Sequence, residues 1–508
     1  MPWWLAALAL LALRVPHLFG PILVDPHAWR QCDTVHTSLD FYRRGLDVLH
    51  PAVCWLGAHR TILLNFPLSE AAASLLYRAF GPSPLWDRLV QLALFTLSAA
   101  WIFALASRLA GRRVARLTTL AYLALPLGQY FSRVPHIEFS VLAFVSGTLY
   151  YATVACLDRR TWAAFAAAAC GVLAALVKAP YLATTGFAVL VLLLARPSWG
   201  NVVRLAIAFG IPAAVFLVWR DYVDAVNATV PNWYFLPDFY KEVNPLWRYM
   251  GTLAEREDVR NWIKIAKRLI FEVGTPIGVV FALVSPSSGA RPPATGADAG
   301  RGPEARVFAL AWFTGCVVFV LVFFRLSAWH NYYQTPFIAP TALLIGLGAD
   351  ALWDRLPRVA GVPATGVAFA AFLLVAAWLP PRLGYDRIDW LREEAGPVIA
   401  ARVPAGQLVV AADFNTLPPT DPRLLFRAGR EGWPMRAHQI TPERLDSLET
   451  YGARWVVVLT DPEHPAVQPP AFLAPLEVAT DPVRHDGRTI GTVHVYALPA
   501  SAPGAGRP

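Results

Sequence analysis

Asp25, His27, Arg30, Asp33 and His36 fall within one short run, DPHAWRQCDTVHTSLDFY over residues 25–42, directly after the first apolar segment. A carboxylate within hydrogen-bond reach of a hydroxyl can take its proton, while Arg and His can hold an anion by charge-assisted hydrogen bonds. The run therefore has the parts for moving an anionic or phosphate-borne group onto a hydroxyl. Three further polar clusters interrupt otherwise apolar sequence: Arg133, His136 and Glu138; Lys178 alone; and His330, Tyr332 and Tyr333. Ionisable residues at the ends of apolar spans are functional-site candidates. Plainer readings stand beside each. Asp25 precedes Pro26 and could start a turn; Asp33, seven residues before Asp40, could lie on a solvated helix face. Glu138 would be favoured at a helix N-terminus by the dipole, Arg133 and Lys178 could snorkel, and Tyr332 and Tyr333 could be interfacial anchors.

The elements that must position these residues are membrane spans. The 508-residue chain is 56% hydrophobic and has a mean hydropathy of +0.43. Its apolar runs recur at lengths that suit bilayer-crossing helices. About 11 such spans are expected, at 2–24, 88–109, 117–131, 139–157, 162–177, 181–195, 205–219, 269–284, 307–324, 336–349 and 363–379. The first is read as an uncleaved span, because Arg14 interrupts the run, the apolar pattern resumes, and no small-residue cleavage site follows.

The formal charge of +9 does not point to nucleic acid. Lys and Arg sit mostly in short links, where they set topology, and there is no phosphate-cradling glycine loop or basic arm. RLAGRRVAR over 108–116 and DRRT over 158–161 read as cytoplasmic turns. On that reading the N-terminus is cytoplasmic, the odd span count puts the C-terminus on the opposite side, and all four polar clusters share the outer face. The five cysteines lack zinc spacing. Cys32 and Cys54 share one polar loop and are the pair that an oxidising compartment could join, two unpaired thiols being the alternative.

The expected organisation is an all-α polytopic domain over 1–379 followed by a small soluble α/β domain over 380–498. A first outer loop spans 25–87, with amphipathic interfacial helices at 36–49 and 66–80; a second outer loop spans 221–267, packed on the membrane surface. The Gly/Pro/Ala/Arg stretch 285–306 reads as a disordered cytoplasmic link, and 499–508 as a disordered tail. In the C-terminal domain LVVAAD (408–413), WVVVLT (455–460) and TVHVYAL (492–498) read as strands, and 442–451 as a helix.

Six segments also carry a resemblance: HAWRQCDT (27–34), NFPLSEAAASLLYRAFG (65–81), SRVPHIE (132–138), LVKAPY (176–181), HNYYQTPFIAP (330–340) and FRAGREGW (426–433). In order and spacing the chain resembles the polyprenyl-phosphate-sugar-dependent membrane glycosyltransferases of the GT-C superfamily, on the side of the aminoarabinose transferases and protein O-mannosyltransferases. The resemblance implies a GT-C-like fold, a lipid-phosphate sugar donor, a cell-envelope acceptor, and an inner-membrane enzyme working on the outer face. It also implies an acidic residue of the first outer loop as the catalytic carboxylate, Asp33 matching best and Asp25 second, with Glu138 in support. His27, Arg30, Arg133, His136, Lys178, His330, Tyr332 and Tyr333 are the expected substrate contacts. The chain departs from the family pattern in three places. Arg30 and Gln31 stand where relatives carry an adjacent acidic pair, Asn65 where an acid often precedes FPL, and Ile137 where a proline usually precedes the second acid. No cofactor is required, although a divalent metal at the outer carboxylates would fit the chemistry. A transporter or flippase of lipid-linked sugars is the rival. It would place charge or broken helices near the midplane and show repeated halves, and neither is evident.

Overall fold

The computed structural model describes residues 2–231, 249–285, 304–359, 361–413 and 421–499. Most of the expected link 285–306, nearly all of the tail 499–508 and the middle of the second outer loop lie outside the described residues. The chain divides into two compact units.

The first unit is helical and comprises residues 1–20, 85–223 and 243–385. Among the described residues seven helices are long and apolar enough to cross a membrane. Helix α1 (Trp3–Ala12) is shorter. Two of the expected spans form one long helix, α4 (Pro84–Ala124), which is two helices laid end to end at Gly111, φ 88°. Glycine takes that left-handed conformation at little cost, so the arginine-rich turn needs no loop. Arg113 pairs there with Asp350 and Asp354, and Arg108 with Asp158. Pro126 then forces the preceding residue out of the helical region, and Leu125 has ψ 130° before α5 (Pro126–Phe131). The carbonyls freed by this break are not left bare in a lipid-enclosed bundle, where an unpaired backbone group costs several kcal/mol. Arg14, the residue that interrupts the first apolar run, donates to Leu123 O at 2.9 Å and to Ser132 Oγ at 2.7 Å. Gln129 donates to Ala124 O.

Glu138 opens α6 (Glu138–Leu157) and Lys178 lies in α7 (Thr161–Ala183), which the apolar α8 (Gly186–Ala195) follows. After α9 (Trp199–Asn227) come the short α10 (Leu253–Glu257) and α11 (Val259–Arg268). A π-helical turn (Leu269–Gly274) leads to α12 (Pro276–Leu283). The rest are α13 (Ala305–Val322), α14 (Phe324–Trp329), a 3-10 turn (Asn331–Phe337) running into α15 (Ile338–Trp353), and α16 (Ala364–Arg382).

The second unit joins residues 21–84 and 224–242 to 386–508. The first outer loop and the C-terminal α/β region are thus one body, whereas the sequence places their boundary at 379/380. Strand β1 (Val24–Asp25) pairs antiparallel with β4 (Arg387–Ile388). The segment 27–44 is not a loop: α2 (Ala28–Arg44) begins at the HAWRQCDT motif, and α3 (Leu68–Phe80) forms where the second amphipathic stretch is expected. The five-stranded sheet has the order β6-β5-β7-β9-β8, from β5 (Leu408–Asp413), β6 (Glu431–Arg436), β7 (Ala453–Thr460), β8 (Glu477–His485) and β9 (Arg488–Ala497). Strands β6, β5 and β7 are parallel and β9 and β8 antiparallel. The apolar runs of β5 and β7 suit strands covered on both faces. The core of this sheet includes Val53, Cys54, Trp55, Leu56 and Ile62 from the first outer loop. At Gly57 (φ 55°) a Cβ would lie 2.0 Å from the Trp433 ring, so only glycine admits that approach. Cys32 and Cys54 are both buried free thiols, and no disulfide joins them.

Candidate active site

In the helical unit the site is built at a fault in α7. Pro180 has no N–H to close the helical ladder, and Lys178 takes a non-helical conformation, φ −162° and ψ 76°. Its ammonium donates to Glu138 Oε1 at 3.0 Å and to Tyr181 Oη at 2.8 Å. Three tyrosine rings surround that cation, with Nζ 4.0 Å from the Tyr181 centroid, 4.2 Å from Tyr333 and 5.1 Å from Tyr332. Aromatic faces attract a cation without neutralising it.

Glu138, fully buried at the start of α6, is held on both oxygens. Lys178 takes one, and the Thr335 hydroxyl lies 2.7 Å from the other. Tyr181 Oη donates in turn to Tyr332 O at 3.0 Å. His136 Nδ1 stands 3.8 Å from Glu138 Oε1, and its ring lies against Tyr332. His330 stacks on Tyr332 with centroids 5.1 Å apart. Burial, reinforced by Arg268, Lys178 and Lys264, pushes the His330 imidazole down to about 4, so it is neutral at physiological pH. Arg133 is buried in the same turn, its guanidinium 5.9 Å from the Tyr130 centroid. Glu138, Lys178, His136, His330, Tyr332 and Tyr333 therefore lie close together in the helical unit. Tyr181 and Thr335 lie inside the quoted motifs LVKAPY and HNYYQTP, but residue type alone gave them no role.

The second unit carries its own cluster on α2. His27 precedes the helix in a left-handed conformation, φ 66°, and its carbonyl accepts from the Arg30 N–H at 3.0 Å. Asp33 is 3% exposed. Trp55 donates its indole N–H to Oδ1 at 2.9 Å, and Arg30 Nη1 lies 3.5 Å from Oδ2. Burial pushes the Asp33 carboxyl up to about 6, against the opposing pull of Arg30 and Trp55. Arg30 also donates to Asn65 Oδ1, so the residue standing where an acid was expected serves as a neutral acceptor. Asp25 is half-buried at the start of α2, and its carboxylate accepts from the Ala28 N–H. Burial raises its pKa and Arg423 opposes this. In this cluster sequence reasoning gave Trp55 no role and noted Asn65 only as a departure from the family pattern.

The polypeptide before Asp25 is tied down by the C-terminal half of the same unit. Glu393, on α17 (Trp390–Arg402), accepts from the Ile22 N–H at 2.9 Å and the Leu23 N–H at 3.2 Å. It also pairs with Arg427 on α18 (Arg423–Ala428). Beside it Asp389 bridges Arg392 at 2.6 Å and Arg423 at 2.8 Å, while Arg392 reaches Asp413 and Arg423 reaches Asp421. Among the described residues no three His, Cys, Asp or Glu side chains are gathered as metal ligands.

No family model and no curated protein matches the chain. Solved structures do. The crystal structure of ArnT from Cupriavidus metallidurans bound to undecaprenyl phosphate aligns over 99% of each chain at 18% identity, TM-score 0.63. Its apo state aligns over 99% of this chain and 98% of that one at 17% identity, TM-score 0.59. The archaeal oligosaccharyltransferase AglB from Archaeoglobus fulgidus, in complex with an inhibitory peptide and a dolichol-phosphate, covers 91% of this chain and 69% of its own at 12% identity, TM-score 0.54. At these identities the likeness is one of fold, shared with ArnT and AglB over most of this chain.

Proposed function

We propose that the chain is an integral membrane glycosyltransferase that moves a sugar from a polyprenyl-phosphate donor to a hydroxyl of a cell-envelope acceptor on the extracytoplasmic face. The observation that carries this reading is Lys178, fixed at a helix break among three tyrosine rings and one buried carboxylate. A cation so placed suits a lipid-anchored phosphate, whose negative charge grows as the sugar–phosphate bond breaks. The shared fold adds support, since ArnT was solved with undecaprenyl phosphate bound and AglB with a dolichol-phosphate.

In this reading a first-loop carboxylate takes the proton of the acceptor hydroxyl while its oxygen attacks the anomeric carbon. The bond to the phosphate oxygen breaks, and the lipid phosphate leaves with the electron pair. A single displacement of this kind inverts the anomeric centre. Asp25 suits the base role better than Asp33: it is only half-buried, whereas both oxygens of Asp33 face donors and its carboxylate fixes Arg30. Lys178, with Tyr332, Tyr333, His330, His136 and Arg133, forms the leaving-group side, and Glu138 holds Lys178 in place. His27 and Arg30 are assigned contact with the acceptor or donor in this reading. Among the described residues the carboxylates near Asp25 and Asp33 do not form a ligand set for a divalent metal, and no step here depends on one.

Incubating the purified protein with a panel of polyprenyl-phosphate sugars tests the reading. Release of free lipid phosphate that depends on an acceptor hydroxyl supports it. A protein that moves the intact lipid-linked sugar across vesicles without releasing lipid phosphate is a flippase, and the reading fails.

A further inference from the structure

Helix α11 (VRNWIKIAKR) separates its residues sharply by face. At a helical turn of 3.6 residues, Val259, Trp262, Ile263, Ala266 and the following Ile270 fall on one side. Arg260, Lys264 and Lys267 fall on the adjoining side. Ile265 turns inward and is buried, and Arg268 fastens the helix to its own unit by donating to Ser327 O at 2.9 Å and Ala328 O at 3.2 Å. The apolar side remains exposed: Val259 by 63%, Ile263 by 47% and Trp262 by 38%. The basic side is exposed too, and no acid lies within the helix; Asp258, just before it, caps the first turn and pairs with Arg260.

We propose that α11 lies in the bilayer interface, with its apolar side in the acyl boundary and Arg260, Lys264 and Lys267 on the phosphates of anionic lipid headgroups. Two observations select this occupant. Exposed apolar side chains continue past the helix at Ile270 and Phe271 and recur, after the buried Val273, Gly274 and Thr275, at Val280 and Leu283 of the following apolar helix α12, a series that suits acyl chains better than water. A second copy of the chain docked on the same face would bring two stripes of lysine and arginine together, and like charges repel across such a contact. A helix with this division of faces binds by apolar area plus attraction to anionic lipid, and each basic residue near such a surface adds to that attraction. The inference stands independently of the transferase reading, because it concerns a surface and not turnover.

The full-length protein carrying a nitroxide at Ile263→Cys, reconstituted in phosphatidylcholine vesicles with and without phosphatidylglycerol, tests it. The label is expected to be relaxed more by oxygen than by a water-soluble nickel chelate, and to move deeper when phosphatidylglycerol is present. The depth change should disappear in R260Q/K264Q/K267Q, whose substitutions are all on the exposed side. A label as open to the nickel chelate as one at Glu463→Cys overturns the interfacial placement. Equal depth in both lipid mixtures overturns the anionic-headgroup assignment, and dipolar broadening between labels shows that a second copy covers the face instead.

Discussion

The indole N–H of Trp55 meets Asp33 Oδ1 at 2.9 Å, which ties a residue of the sheet core to the carboxylate on α2. Replacing the indole by a smaller aromatic ring removes that donor together with part of the packed bulk. Trp55→Phe is expected to destabilise the protein by roughly 1–3 kcal/mol, the cost of leaving a buried acceptor without a partner. It should also raise the Asp33 pKa further, since a hydrogen bond to the charged form is lost. Thermal unfolding at a fixed low pH and its change between pH 4 and 7 read the two effects separately.

Asp33 makes stability depend on pH in a defined direction. Its folded pKa is raised by burial from 3.8 to about 6, so the native state holds the proton where the unfolded chain has released it. That contribution is fully present below pH 4 and is lost as pH rises through 6. Asp33→Asn removes it, and the melting temperature of the variant should gain on wild type as pH goes from 4 to 7. A difference that is flat across this window means the carboxyl is not shifted.

Asp25→Asn is expected to lower turnover by a hundredfold or more, the scale for a general base, while donor-lipid binding stays close to wild type. Asp33→Asn should lose less. If Asp33→Asn is dead and Asp25→Asn is active, the base is Asp33; if both are active, no carboxylate of this loop is the base.

Lys178→Met should weaken donor binding and turnover together, because a phosphate contact acts in the ground state and strengthens as charge develops. It also leaves Glu138 buried without its cation, which typically costs 3–5 kcal/mol. Adding Glu138→Gln is expected to recover most of the melting temperature and none of the turnover. Recovery of both would show that the pair serves folding alone.

Sidedness gives a check on the scaffold. Reporter fusions at Gly111 and at Ala500 should give opposite signals, cytoplasmic and extracytoplasmic respectively. The same side at both removes the odd number of crossings.

Lys178 and Glu138 were legible in the sequence because charge is costly in a span and stands out against an apolar background. Tyr181 and Thr335 were not, since a tyrosine or threonine near a span end is ordinary. The number of crossings is blurred for a local reason: Gly111 joins two expected spans into one helix, and the breaks at Leu125 and Lys178 divide others. Strands β5, β7 and β9 showed as apolar or alternating runs. Strand β8 did not, because most of it is exposed and Pro482 interrupts its pattern. Trp55 and Glu393 depend on pairings such as Val24 with Ile388, and no local pattern announces a partner that far along the chain.

The mixed origin of the second unit has a consequence for biosynthesis. Its core needs Trp55 and the strands beyond Leu408 together, yet the helical unit is threaded between Pro84 and Asp386, a separation of roughly 300 residues. At translation speeds of about 5–20 residues per second, some 15–60 seconds pass between the emergence of α2 and that of the sheet that packs on its loop. During that interval Asp33 has no Trp55 held by a folded core. The nascent chain can insert every helix of the first unit while the second still lacks its core, which closes only once strand β9 has been made.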